Sequence, residues 1–200
     1  MFDKNYFEDG VNNKISNYED YRWMPDRTIK DTKYIKSILQ ISNGCKVLDF
    51  GCAKGFMVKA FRLLNVDAYG CDISDYAINN VDSTVKDYCY KISDINSMNK
   101  INLVFDHIVC NHVLEHIEKD VLLDTLLVLR ENFQSSIFIR IPIGDELGYI
   151  FKKHNNDVTH KICESQGWWL EIFKKGNLKL KYKKYLSEEG VLEALLEKEN

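Results

Sequence analysis

The sequence predicts an α/β fold: a doubly wound, mostly parallel, Rossmann-like sheet with helices on both faces. Three observations predict it. Short apolar runs alternate with helical patterns from residue 45 to residue 143, the signature of parallel strands joined by right-handed crossovers. The first run ends in a glycine turn, "VLDFGCAKGF" at residues 47–56. The second ends in Asp72, 21 residues beyond Gly51, where an acidic side chain suits the two hydroxyls of a ribose.

In chain order, residues 1–27 are polar and aromatic and lack helical periodicity. From Asp26 to Leu39, Ile29, Tyr34, Ile35, Ile38 and Leu39 recur at helical spacing. "CKVLDF" reads as a buried strand, and "GFMVKAFRLLN" as a helix with Met57, Val58, Phe61 and Leu64 on one face. "DAYGCDI" is a second strand, followed by a helix that Ser74 is placed to cap. "YCYKISDI" and "FDHIVCNHV" are the third and fourth strands. "KDVLLDTLLVLREN" is an apolar helix and "SSIFIRIPI" the fifth strand. A loop from Gly144 to about Lys161 leads into a helix containing "GWWLEIFKK". "NLKLKYKKY" reads as one more strand and "EEGVLEALLEKE" as a terminal helix.

With 200 residues, one domain spanning 1–200 is expected, with 1–27 as an N-terminal lid. A 45% hydrophobic content supports a real core and excludes a disordered chain. A net charge of -3 excludes a whole-surface basic field for nucleic acid. No apolar run is long enough to span a membrane, and "MFDKNYFEDG" lacks a signal-peptide core. The six cysteines lack C-x-x-C spacing and are expected as reduced residues of a cytoplasmic protein.

In such a sheet a ligand sits beyond the carboxyl ends of the strands, near the switch in strand order. Gly51 lets the backbone turn there and a ligand approach. The pattern wants a nucleoside, but a full set of pyrophosphate-binding glycines is missing.

"VLDFGCAKG" resembles the first motif, D/E-x-G-x-G-x-G, of the class I S-adenosylmethionine-dependent methyltransferases. Asp49, Gly51, Ala53 and Gly55 occupy its places, with Ala53 departing from the central glycine. "GCDIS" is similar to the family's second motif and "FDHIVCNHVLEHI" to its fourth-strand motif, so the resemblance covers about residues 45–145. It implies S-adenosylmethionine as cofactor and S-adenosylhomocysteine as product. It also implies that Gly51 and Gly55 border the methionine and ribose, that Asp72, followed by Ile73, binds the ribose, and that Asp94 with Ile95 lies by the adenine. Asn111 would lie near the sulfonium. In the lid, Tyr21 stands over the cofactor and Arg22 is expected to pair with the methionine carboxylate.

For the acceptor side, His160 in "NDVTHKICESQGWW" is the expected base, oriented by Asp157, with His112 as a second catalytic candidate. His107 is expected to be structural. His112, Glu115, His116 and His160 are also a conceivable metal set. Metal-using relatives carry Glu where His112 stands, however, so no metal is expected. The D-x-T-H…WW segment and "YFE…SNYEDYRW" resemble small methyltransferases of sugar and surface-glycan biosynthesis, which implies a carbohydrate acceptor. RNA or protein methylation, suggested by the six lysines of "KKGNLKLKYKKY", and a non-catalytic binding module are the alternatives. The family closes its sheet with an antiparallel hairpin. Only one candidate strand is evident, so a shortened sheet, or one completed by a partner in a homo-oligomer, is expected.

Overall fold

A computed structural model describes residues 2–199, the side chains at 99 and 100 aside. Helix α1 is Lys4–Glu8 and α2 is Pro25–Ile38. Strand β1 (Lys46–Phe50) leads through α3 (Phe56–Leu63) to β2 (Asp67–Asp72), then through α4 (Asp75–Asn79) to β3 (Cys89–Lys91). A 3-10 segment, Ile95–Ile101, precedes β4 (Phe105–Asn111), and α5 (Leu122–Glu131) precedes β5 (Phe133–Pro142). Two short strands, β6 (Gly144–Asp145) and β7 (Gly148–Tyr149), pair with each other. Then come α6 (Gln166–Lys175), β8 (Leu178–Leu186) and β9 (Val191–Lys198).

The main sheet runs β3-β2-β1-β4-β5-β9-β8. Strands β1 to β5 are parallel; β9 and β8 are antiparallel. The chain moves outward one way from β1 through β2 and β3, then returns to β4 on the other side. The switch point therefore lies at the carboxyl ends of β1 and β4, where doubly wound sheets hold ligands.

Both faces are covered, so the central strands read as nearly continuous apolar runs. Val47, Val109, Phe138 and Leu195 pack with Ile35, Leu39, Val58 and Phe61 on the α2/α3 face. Leu48, Ile108, Ile137 and Leu196 pack with Leu126, Trp169 and Phe173 on the α5/α6 face. Ser74 caps α4 by accepting from the Ala77 N–H at 2.9 Å. Ser165 does the same for α6 from the Trp168 N–H at 3.2 Å. Among the described residues, no helix is long and apolar enough to cross a membrane. All six cysteines are free.

The expected terminal helix is strand β9. "VLEALLEK" is composed of good helix formers, but its slot lies between β5 and β8. Leu192, Ala194 and Leu196 join one core and Leu195 the other. Burial on both faces overrides propensity. Gly190, at φ +62°, makes the turn into β9, and a Cβ there would come within 2.7 Å of the Phe151 nitrogen. The chain thus supplies both strands of the closing hairpin, and the sheet is neither shortened nor in need of a partner strand.

Smaller differences follow from local packing. Helix α1 was not anticipated; Asp3 caps it by accepting from the Tyr6 N–H at 3.1 Å. Strand β3 spans three residues because the chain bends into the 3-10 segment that Asp94 caps. The Trp168–Trp169 pair belongs to the core: Trp169 is fully buried against Phe173, and Trp168 packs edge-on against it.

Candidate active site

The glycine turn after β1 is tightly determined. Gly51 sits at φ +80°, and a Cβ there would lie 2.5 Å from Val113. Gly55 opens α3 at φ +74°. Between them Ala53 adopts φ +48°, a left-handed conformation that costs an L residue about 1–2 kcal/mol. The strain serves a contact: the Ala53 N–H donates to Asp72 Oδ2 at 2.8 Å. Asp72 Oδ1 accepts from the Ser74 N–H at 2.7 Å. With a third backbone N–H, from Ile73, also bonded, the carboxylate keeps one acceptor site for a ribose hydroxyl. Burial raises the pKa of Asp72, although three backbone N–H groups hold it down. Asp49, buried below the turn, is pushed up to about 7 by burial and then by the charge of Asp72.

Residues 2–23 roof this turn. Phe7, Tyr18, Tyr21 and Tyr76 form one aromatic cluster with Tyr6 and Ala53. Glu8 pairs with Lys54 at 2.5 Å and accepts from the Tyr76 hydroxyl at 2.8 Å. The Ser74 hydroxyl donates to the Phe2 carbonyl at 2.5 Å. Burial, with the charges of Asp157, Glu115 and Asp72, pushes the Tyr18 hydroxyl up to about 12. Burial dominates for Tyr21 too, with contributions from Tyr18, Asp49, Cys52 and Asp72.

Beside the turn stands a cluster built from the segment after β4 and the loop after β5. Glu115 is fully buried. Its backbone carbonyl accepts from Lys161 and Ile162 at 2.8 and 3.1 Å, joining the two segments. Its Oε1 lies 3.2 Å from His112 Nδ1, and its Oε2 has no hydrogen-bond partner. Burial alone would raise its pKa, but the His112 bond and the charges of His116, His112 and His160 bring it below its ordinary value. The rings form a chain: His112 on His154 at 6.0 Å, His154 by His160 at 6.2 Å, His160 edge-on to His116 at 4.7 Å. Four of the five histidines are therefore in one place. His116 Nδ1 lies 2.8 Å from Thr159 Oγ1, and the Thr159 hydroxyl donates to Asp157 Oδ1 at 2.5 Å. Asp157 Oδ2 accepts from the Tyr6 hydroxyl at 2.9 Å, tying the roof to this side. Glu115, His116 and His160 each offer one atom of metal-ligand type within 4.8 Å of the others.

A family model described as a methyltransferase domain matches residues 22–134, more than half of the chain. The chain belongs to that family. By family and fold it is an S-adenosylmethionine-dependent methyltransferase. No curated protein matches it in sequence. A methyltransferase structure from Archaeoglobus fulgidus is 20% identical, with a TM-score of 0.62 over 79% of this chain and 73% of that one. One from Clostridium acetobutylicum is 14% identical, with a TM-score of 0.66 over 87% and 92%. The Burkholderia thailandensis 1,6-didemethyltoxoflavin-N1-methyltransferase, solved with its acceptor and S-adenosylhomocysteine, is 13% identical, with a TM-score of 0.65 over 86% and 79%.

In this methyltransferase the fold gathers Asp49, Gly51, Ala53, Gly55, Asp72 and Tyr21 around one turn. Ile73 is half exposed beside them. Asp94 is engaged as a cap, accepting from the Ser97 N–H at 3.0 Å and the Ser93 hydroxyl at 2.9 Å. Ile95 lines a surface groove against Val121 and Val128 of the α5 region. Asn111 ends β4 and accepts from Arg140 Nη1 at 3.2 Å.

Two expectations are corrected. Arg22 is not brought to the cofactor turn: the chain is extended there, so Tyr21 and Trp23 face inward while Arg22 points to solvent beside Asp20. Asp157 does not orient His160. Its oxygens are taken by Tyr6 and Thr159, and His160 Nε2 stands 4.0 Å away. Burial, more than any neighbour, depresses the His160 pKa to about 4, and its buried Nδ1 has no partner. His107, as expected, is structural: it is buried, 2.9 Å from the Ser136 hydroxyl.

Proposed function

We propose that this chain is a single cytoplasmic methyltransferase domain. It transfers the methyl group to a hydroxyl or amine of a small-molecule acceptor, a sugar or sugar nucleotide. The observation that carries the reading is the histidine cluster beside the Asp72 turn. Such a wall of ring nitrogens and carboxylate, flanked by the rings of Phe2, Tyr6 and Tyr149, suits a ligand with polar edges and apolar faces. The small heterocyclic acceptor of the toxoflavin enzyme, a fold relative, agrees with an acceptor of that size.

The cofactor supplies an electrophilic methyl group. Asp72, the Gly51–Gly55 turn and the aromatic roof would hold it, with Asp49, Ile73, Asn111, Asp94 and Ile95 around it. His160 and His112 stand on the acceptor side, and His112 braces Glu115. Residues 1–27 act as the lid that excludes water and must open for exchange.

The lysine-rich segment does not favour RNA. Lys179, Lys181, Lys183 and Lys184 lie on β8, at the edge of the sheet and three strands from β4. Lys181 is paired with Glu197 at 2.5 Å. Exposed lysines on an edge strand guard against pairing with other chains.

Methyl transfer from labelled S-adenosylmethionine to a panel of nucleoside diphosphate hexoses, free sugars and RNA tests the reading. Label on a sugar is the expected outcome. Label on RNA alone would replace the acceptor class.

A further inference from the structure

We infer that His116, rather than His160 or His112, takes the proton from the acceptor, and that the Asp157–Thr159 pair fixes the tautomer that lets it do so. The inference rests on the methyltransferase reading above and names the working atom within the same cluster.

The argument is one of hydrogen counting. A threonine hydroxyl has one proton and two acceptor sites. Thr159 Oγ1 lies 2.5 Å from Asp157 Oδ1, and the carboxylate only accepts, so the hydroxyl proton goes there. The Thr159 N–H, 3.0 Å from the same oxygen, holds the carboxylate in place. His116 Nδ1, 2.8 Å from Thr159 Oγ1, must then be the donor. A neutral imidazole with its proton on Nδ1 carries a lone pair on Nε2. His160 has no such support: its buried Nδ1 is unpartnered and its Nε2 is 4.0 Å from Asp157. His112 also donates through Nδ1, to Glu115 Oε1, but its ring is stacked on His154.

The Glu115 carboxylate lies near His116. Glu115 Oε2 is buried without a hydrogen bond, and ligand-type atoms of Glu115 and His116 lie within 4.8 Å of each other. As the acceptor oxygen or nitrogen bonds to the methyl carbon, the carbon–sulfur bond breaks and its electron pair stays on sulfur. The acceptor proton moves to His116 Nε2. The positive charge passes from sulfur to the imidazole, near the Glu115 carboxylate. An interaction that strengthens only as charge develops lowers the barrier.

The test begins with long-range proton–nitrogen NMR of the full chain, labelled with ¹⁵N and measured with and without S-adenosylhomocysteine. His116→Gln assigns the ring by the signals it removes. Expected are a protonated Nδ1 and a lone-pair Nε2 on His116. That pattern should survive in Thr159→Ser and be lost in Thr159→Val. A protonated Nε2 in the wild type, or a tautomer indifferent to Thr159→Val, overturns the assignment.

Turnover is then read with the nucleoside diphosphate hexose panel. His116→Gln should lower it by about 10²–10⁴-fold while S-adenosylhomocysteine affinity stays within about threefold. Unchanged turnover overturns the proposal. So does 1:1 zinc binding that is abolished by Glu115→Gln or His160→Ala and accompanied by activity lost on chelation, because Nε2 would then belong to a metal. A wild type that fails to bind S-adenosylhomocysteine sinks the function proposed above, and the tautomer of the unliganded chain separates that failure from this one.

Discussion

Two polar clusters flank the ends of β4 and β5, and they are built on opposite principles. On the α2 face, Arg140 donates from Nε to Glu193, from Nη1 to Asp31 and Asn111, and from Nη2 to Asp31 and Glu193, at 2.7–3.2 Å. All five guanidinium donors are used. The second oxygen of Glu193 accepts from the Tyr34 hydroxyl at 2.6 Å. Beyond the strand ends, the histidine cluster leaves Glu115 Oε2 and His160 Nδ1 buried and unpartnered. The His112 N–H, donating to the Arg140 carbonyl at 2.8 Å, connects the two. A satisfied network holds a fold in one arrangement; an unsatisfied one keeps capacity for a ligand or a proton.

The largest expected effect breaks the satisfied side. Arg140→Ala leaves Glu193 charged, fully buried and unpaired, and should cost about 3–5 kcal/mol of stability. Glu115→Gln, a change of similar burial on the other side, should move stability by less than about 1 kcal/mol and reduce turnover instead. Urea denaturation of both variants makes the comparison; equal losses would erase it.

The next effect sharpens it through pH. Among the described residues Asp49 pairs with no cation, and burial raises its pKa to about 7. Its folded pKa is above its unfolded value of about 3.9. The folded state therefore binds the extra proton between those values, and stability falls as pH rises through the window, by up to about 1.4 kcal/mol per unit. Asp49→Asn should remove this contribution, so the stability of wild type relative to the variant should decline from pH 4 to 7. A constant difference across that range would contradict the assignment.

The smallest effect concerns strain at the donor turn. Ala53→Gly relieves a left-handed residue worth about 1–2 kcal/mol but adds unfolded-state entropy of about 0.5–1 kcal/mol. A gain of about 0–1.5 kcal/mol in stability is expected, seen as a raised melting midpoint. A clear loss would mean the alanine methyl packs in the roof it adjoins.

The glycine turn proposed to hold the cofactor is legible in the sequence because its signals are local. Gly51, Gly55 and Asp72 lie at strand ends that hydrophobic runs mark out, and their spacing carries meaning by itself. The acceptor side was legible only as a set of residue types. That Asp157 serves Thr159 and Tyr6 instead of His160 depends on contacts across 151 positions of chain. The inward turn of Tyr21 and outward turn of Arg22 were hidden in an aperiodic stretch. Strand β9 was misread because Leu, Ala, Glu and Lys carry helix propensity, and its partner β5 lies about 50 residues away. Arg140 drew no notice for a similar reason: Asp31 and Glu193 are distant in sequence, and only the sheet register brings them to it.

The most direct test of the account is calorimetric titration of S-adenosylhomocysteine into wild type and Asp72→Ala. One-to-one binding by the wild type is predicted, weakened in the variant by roughly 1.5–3 kcal/mol, as for a lost charge-assisted hydrogen bond. That is about 10- to 150-fold in affinity. Absence of binding to the wild type, or equal affinity in the two proteins, would contradict a cofactor site at the Gly51–Asp72 turn.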